Sequence, residues 1–155
     1  MVEDKDLILN DVIGWNERNF AQFLLDWYEV HKRVLPWRGE KDVYKIWISE
    51  IILQQTQIVQ GWAYYERFIS AFPDVQSLAV AQEDEVLKLW EGLGYYARAR
   101  NLLKAARQIT GKRRLAASWP RTSAEWSQVP GVGPYTAAAL SSVLNGERVP
   151  VVDGN

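Results

Sequence analysis

The chain contains no cysteine and a single histidine, His31, among its 155 residues. Without cysteine there is no disulfide framework, no thiolate nucleophile, no cysteine-ligated zinc and no iron–sulfur ligand in these residues. One histidine cannot by itself build a metal site or a Ser-His-Asp triad. No apolar run is long enough to span a bilayer. The polar, acidic start (Val2, Glu3, Asp4, Lys5, Asp6) is neither a signal nor a transit peptide, so a cytoplasmic protein without a membrane partner is expected. The basic excess usual in nucleic-acid-binding domains is also missing: 18 Lys and Arg stand against 19 Asp and Glu, a net charge of −1.

What is present is an ordinary globular composition, 48% hydrophobic and 24% charged, in a length that suits one domain or two small lobes. Eight tryptophans in so short a chain predict a tryptophan-rich core. The charge is unevenly spread. Glu3, Asp4, Asp6, Asp11, Glu17, Asp26 and Glu29 dominate the first 30 residues, opposed only by Lys5 and Arg18. Residues 92–124 carry Arg98, Arg100, Lys104, Arg107, Lys112, Arg113, Arg114 and Arg121 with no acid at all. Such a stretch is either a solvated helix face or an electrostatic footprint that the net charge hides.

Hydrophobic periodicity is helical almost throughout, with no period-two run, no internal repeat and no low-complexity segment. Phe20, Phe23, Leu24, Trp27 and Tyr28 share one face of a first helix, Asn16–His31, with Pro36 as its break. Asp42 is placed to cap a short helix through Trp47 and Ile51, and Thr56 to open the next, which Pro73 closes. Asp74 caps a short helix through Leu78, and another runs near Glu83–Trp90 into the Gly92-Leu93-Gly94 turn. Leu102, Leu103 and Ala106 line the apolar face of the basic helix, which ends near Gly111. Thr122 and Glu125 form a T-x-x-E capping box, and an alanine-rich helix from Tyr135 to about Leu144 ends at Asn145-Gly146. From Val149 the tail reads as extended. The fold class expected is all-α.

The strongest local signal is the hairpin Val129-Pro130-Gly131-Val132-Gly133-Pro134-Tyr135 between two of these helices. Glycines two apart let the chain turn sharply and let a ligand approach the backbone of Gly131, Val132 and Gly133. Pro134 suits the first helical position. Free N–H groups at that turn and helix start make an anion site, which on DNA is a backbone phosphate. An ordinary tight helix–helix turn is the alternative.

The hairpin resembles the helix-hairpin-helix DNA glycosylase superfamily. Leu35-Pro36-Trp37-Arg38, Ile48-Ser49-Glu50-Ile51-Ile52-Leu53-Gln54-Gln55-Thr56-Gln57, Glu91-Gly92-Leu93-Gly94-Tyr95-Tyr96-Ala97-Arg98-Ala99-Arg100-Asn101 and Val151-Val152-Asp153-Gly154-Asn155 follow in the order of its adenine DNA glycosylase (MutY-type) family. The resemblance implies a monofunctional base-excision repair enzyme. Its partner is duplex DNA in which adenine is mispaired with 8-oxoguanine or guanine, and its place is the bacterial cytoplasm, at the nucleoid.

Breaking an N-glycosidic bond needs an acid for the leaving base and negative charge beside the developing oxocarbenium ion, a demand that glycoside hydrolases meet with two carboxylates. Glu50 and Asp153 are the candidate pair. Glu50 lies between Ile46-Trp47-Ile48 and Ile51-Ile52-Leu53, where a carboxyl loses water and holds its proton. On spacing alone Glu50 also reads as a helix-surface carboxylate, and Asp153 as a turn residue before Gly154. The resemblance makes Glu50 the proton donor to adenine and Asp153 the stabiliser of the cationic sugar. It puts Tyr135 close to the sugar, where bifunctional relatives carry a lysine that attacks it; a phenol cannot form that Schiff base. It gives Gln55 to the gap left by the flipped base, Tyr95 to the oxidised guanine, and Trp37 and Arg38 to the adenine pocket. Arg98 and Arg100 continue the Tyr95 motif into the basic helix, whose charge suits it to track phosphates.

The resemblance also implies a [4Fe-4S] cluster in the full-length family member, held by a four-cysteine loop beyond the catalytic aspartate, and a further C-terminal domain. The chain ends before that point, so it reads as a truncated helical lobe. The organisation expected is an acidic arm (1–14), a helix belonging to a second lobe (15–34), a helical lobe with the helix-hairpin-helix at about 122–144 (35–145), and an extended tail carrying Asp153 (146–155). Two consequences are expected. The apolar face of the first helix docks elsewhere or drives self-association. The fragment excises adenine weakly or not at all, because Asp153 lies so near the terminus. Two other readings are an endonuclease-type glycosylase-lyase, opposed by Tyr135, and a non-enzymatic helix-hairpin-helix DNA-binding module, which needs neither Glu50 nor Gln55 nor Tyr95.

Overall fold

The computed structural model describes residues 17–32, 34–35, 39–111 and 117–151. Eight helices occur among them, and no strand. The chain divides into two compact units, Met1–Leu35 and Pro36–Asn155. The first unit contains α1 (Glu17–His31), on which Phe23, Leu24, Leu25 and Trp27 are each more than half exposed. Its last turn is closed by His31, whose ring stacks on Trp27 and whose Nδ1 meets the Trp27 carbonyl at 2.7 Å.

The second unit is built around α2 (Val43–Leu53). Asp42 caps it as its sequence position predicts, accepting from the Tyr44 N–H at 2.9 Å. Tyr44, Ile46, Trp47, Ile48, Ser49, Ile51 and Ile52 are all buried, so α2 is apolar nearly all round and runs through the core. Two of the polar groups it buries are satisfied on backbone carbonyls, Tyr44 donating to Phe72 and Ser49 to Ile46, each at 2.8 Å, while the buried Trp47 Nε1 has no hydrogen-bond partner among the described residues.

The helix α3 (Ile58–Ala71) packs against α2 across Gly61, where a Cβ would approach the Leu53 side chain to 2.8 Å. It starts one residue later than Thr56 would suggest, with Gln57 at the cap. Thr56 stays in the preceding turn, its N–H bonded to the Leu53 carbonyl at 3.2 Å and its hydroxyl turned back to the Gln54 carbonyl at 3.3 Å. Then come α4 (Val75–Val80), with a complete capping box between Asp74 and Ser77, and α5 (Glu83–Leu89), boxed by Gln82 and Glu85. Both pack on α6 (Ala97–Thr110), whose buried face is Ala99, Leu102, Leu103, Ala106 and Ile109.

The Thr122–Glu125 box is present but caps only a single turn, α7 (Ser123–Trp126). The hairpin then leads to α8 (Pro134–Asn145), which packs on both α7 and α2 and ends at Gly146, with φ +68°. The tryptophan core is real but partial: Trp47, Trp90 and Trp126 are fully buried, and half-buried Trp119 bridges Trp47 and Trp126 at ring distances of 5.8 and 6.1 Å.

The hairpin also fits tightly against α6. At Gly131 φ is +80°, and a Cβ there would lie 2.8 Å from that of Asn101, whereas Gly133 has φ −80° and open space around it. Gly131→Ala is therefore expected to cost about 1–3 kcal/mol, and Gly133→Ala less than about 0.5 kcal/mol. Urea denaturation of the two variants decides it; equal stabilities would remove the steric account.

Candidate active site

The single acid of α2 is Glu50, set between its buried positions. Its helix neighbours are apolar on both sides, so its half-buried carboxyl has lost much of its water. Burial pushes its pKa above the ordinary carboxylate value. Among the described residues no lysine or arginine forms an ion pair with it. The result is a carboxyl disposed to hold a proton and to give it to a basic atom brought into the same dry space.

That space exists. A cavity of about 980 Å³ is lined by Glu50, the turn residues Gln54, Gln55, Thr56 and Gln57, Tyr95 and Arg98 beside them, and Tyr135 and Thr136 at the start of α8. It brings together Glu50, Gln55, Tyr95, Arg98 and Tyr135, which are separated widely in sequence. Its two sides are tied by Gln54, whose Nε2 donates to the Thr136 hydroxyl at 3.0 Å. Thr136 was not singled out by the sequence; nothing local marks a threonine in a helix's first turn as a partner for a glutamine so distant along the chain.

Two wall residues have unusual backbones. Gln55, with φ 56°, and Tyr95, with φ 49°, are the non-glycine residues of positive φ among those described. Each pays about 1–2 kcal/mol for the left-handed region, which persists only where the surroundings fix it. Tyr95 is also 67% exposed, an aromatic ring held out into solvent.

What fixes both turns is largely Arg98. Its Nη1 donates to the carbonyls of Ile51 (3.2 Å), Ile52 (3.1 Å) and Gln54, and its Nη2 faces those of Leu93 and Gly94, both at 3.4 Å. Its guanidinium also lies over the rings of Trp90 and Tyr95. Both Nη groups of Arg98, expected at a phosphate, face backbone carbonyls of the protein itself. The turn before Tyr95 has further supports. Trp90 Nε1 donates to the Gly94 carbonyl at 3.1 Å, and the Tyr64 hydroxyl to that of Glu91 at 2.7 Å.

In the hairpin, Gly131 and Gly133 are exposed, but the Val132 side chain is buried in the core and its N–H already bonds to the Val129 carbonyl at 3.1 Å. Only the two glycines and the first turn of α8 therefore present backbone to a ligand. Trp37, Arg38 and Asp153 lie outside the described residues.

Residues 48–155 match the family model described as HhH-GPD superfamily base excision DNA repair protein. The chain belongs to that superfamily. It is 41% identical over 137 residues to the adenine DNA glycosylase of Buchnera aphidicola from Schizaphis graminum, a match covering 88% of this chain and 39% of the relative. It is 42% identical over 145 residues to the Homo sapiens adenine DNA glycosylase, covering 88% of this chain and 26% of that one. The chain thus spans well under half the length of these curated relatives. Among solved structures, a thermostable thymine-DNA glycosylase superposes with a TM-score of 0.78 at 27% identity, over 88% of this chain and 62% of that one. An endonuclease III–DNA complex shares the fold, with a TM-score of 0.72 at 18% identity.

The superfamily member has no place in these residues for the cluster that the resemblance implies. A [4Fe-4S] cluster takes four thiolates, and the chain has no cysteine. Among the described residues no group of three His, Cys, Asp or Glu side chains is arranged to hold a metal ion, and no helix is long and apolar enough to cross a membrane.

Proposed function

We propose that this chain carries the base-releasing centre of a monofunctional adenine DNA glycosylase acting on adenine opposite 8-oxoguanine or guanine. The observation that carries the reading is Glu50: a desolvated carboxyl with a raised pKa in a cavity large enough for a nucleobase. Glu50 gives its proton to the adenine, the glycosidic bond breaks, Asp153 stabilises the cationic sugar, and water adds at the anomeric carbon. Tyr135 stands beside the sugar. Trp37 and Arg38 hold the extruded base. Gln55 fills the gap in the stack, and Tyr95 wedges beside the 8-oxoguanine. Gly131 and Gly133, with the first turn of α8, hold a backbone phosphate.

The test is single-turnover adenine release from duplexes with A opposite 8-oxoguanine, G or T, and thymine release opposite G. It is run for this chain and for one extended to the length of its curated relatives. Release from the 8-oxoguanine duplex over the A:T duplex by the extended chain is expected, with this chain slower. Thymine release alone, or no preference between the adenine duplexes, would overturn the reading. Light scattering on the same samples reads the self-association proposed through α1; a concentration-independent monomer would remove it.

A further inference from the structure

We propose that Arg98 is a positioning residue that makes the Gln55 turn and the Tyr95 turn act as one unit. The argument begins with α2, which ends without a basic residue in its last turn and leaves its final carbonyls to be satisfied from elsewhere. Arg98, reaching across from α6, supplies the missing cation and donors to Ile51, Ile52 and Gln54. The other arm of the same fork faces Leu93 and Gly94, which lead directly into Tyr95. The two turns are thus held by one planar group whose arms cannot move independently. Each turn ends on a residue in the left-handed region, Gln55 and Tyr95, so each needs an outside support to keep its conformation.

The consequence rests on the reading in which Gln55 enters the vacated stack while Tyr95 wedges at the opposite base. Locking the two turns together makes insertion at one strand favour insertion at the other, so that both partners of a mispair are sensed in a single event. Lysine cannot replace the guanidinium, because a point charge cannot span two sets of carbonyls.

The experiment compares Arg98→Lys with Arg107→Lys. Arg107 is a fair control: it lies on the same helix and also donates to backbone carbonyls, those of Ala79 (3.2 Å) and Ala81 (3.0 Å), away from both turns. Hydrogen exchange is read at the Thr56 and Leu93 amides, which bond within their own turns to Leu53 and Trp90. Arg98→Lys is expected to speed exchange at both by about tenfold, and Arg107→Lys at neither. In duplex binding, the effects of Gln55→Ala and Tyr95→Ala on the preference for A:8-oxoguanine over A:T are expected to be non-additive, and to become additive in the Arg98→Lys background. Loosening of one turn only, of neither, or equally in Arg107→Lys would overturn the proposal, as would non-additivity that survives Arg98→Lys. If both turns loosen together but neither Gln55→Ala nor Tyr95→Ala alters duplex preference, the clamp stands and the reading of these residues as DNA-inserting falls.

Discussion

Glu50→Gln is expected to slow adenine release by about 10²–10⁴-fold, the range for losing a positioned general acid, while making the protein more stable at neutral pH. Both effects have one source. The apolar run Ile46 to Leu53 forms a core helix, and Glu50 is carried into poorly hydrated surroundings with it. Burial raises its pKa because the charged form has lost water. The folded protein therefore binds this proton more tightly than the unfolded chain does. Its contribution to stability is full below the ordinary carboxylate pKa and is lost as pH rises through the raised, folded value. Glutamine keeps the shape and removes the charge, so the variant's advantage should grow across that window. Activity runs the same way: with Glu50 as the acid, the glycosidic step slows as pH rises past its raised pKa, and the variant lacks that limb. Single-turnover rates and urea denaturation from pH 4 to 9 check both. A variant excising within about threefold of the parent, or a stability difference independent of pH, would reject the acid assignment.

The parts of this molecule legible in its sequence are those whose physics is local. Asp42, Asp74 and Thr122 cap helices because a side-chain oxygen reaches an N–H two or three residues on, a reach visible in the residue order. The burial of Glu50 follows from its immediate neighbours. Thr56 does not cap, because its hydroxyl turns back to the Gln54 carbonyl instead of reaching forward to a helix N–H. Arg98 is a different case. The basic stretch around it points to phosphates, while the carbonyls it meets, those of Ile51, Ile52 and Gln54, lie more than 40 residues away in sequence. The left-handed backbones of Gln55 and Tyr95 carry no residue-type signal, since neither is glycine. The Gln54–Thr136 bond, spanning 82 residues, is likewise a product of how α2 and α8 pack. The core and its caps were written locally; the mutual placement of the cavity walls was not.

Tyr135→Lys is expected to add a strand-cleaving activity that the proposed monofunctional reaction does not include. The residue follows Pro134 at the start of α8, lines the same cavity as Glu50 and is 44% exposed. A lysine there sits at the positive end of the helix and beside low-dielectric walls, both of which lower its pKa and populate the neutral amine. As adenine leaves with the proton from Glu50, that amine can attack the anomeric carbon in place of water, forming a carbon–nitrogen bond. Opening of the sugar ring gives the iminium, and loss of a proton from the adjacent carbon then expels the 3′ phosphate. The tyrosine phenol can form no iminium, so the parent should release base and leave the strand intact. Two readouts separate the cases: nicking without alkali, and a protein–DNA adduct trapped by borohydride. Nicking within about tenfold of the variant's own excision rate is expected. Retained excision with neither nick nor adduct would mean that Tyr135 does not face the sugar, and would return it to a packing role at the helix start. Loss of excision alone would instead make the phenol itself part of base release, since the fold tolerates a half-exposed residue of either kind there.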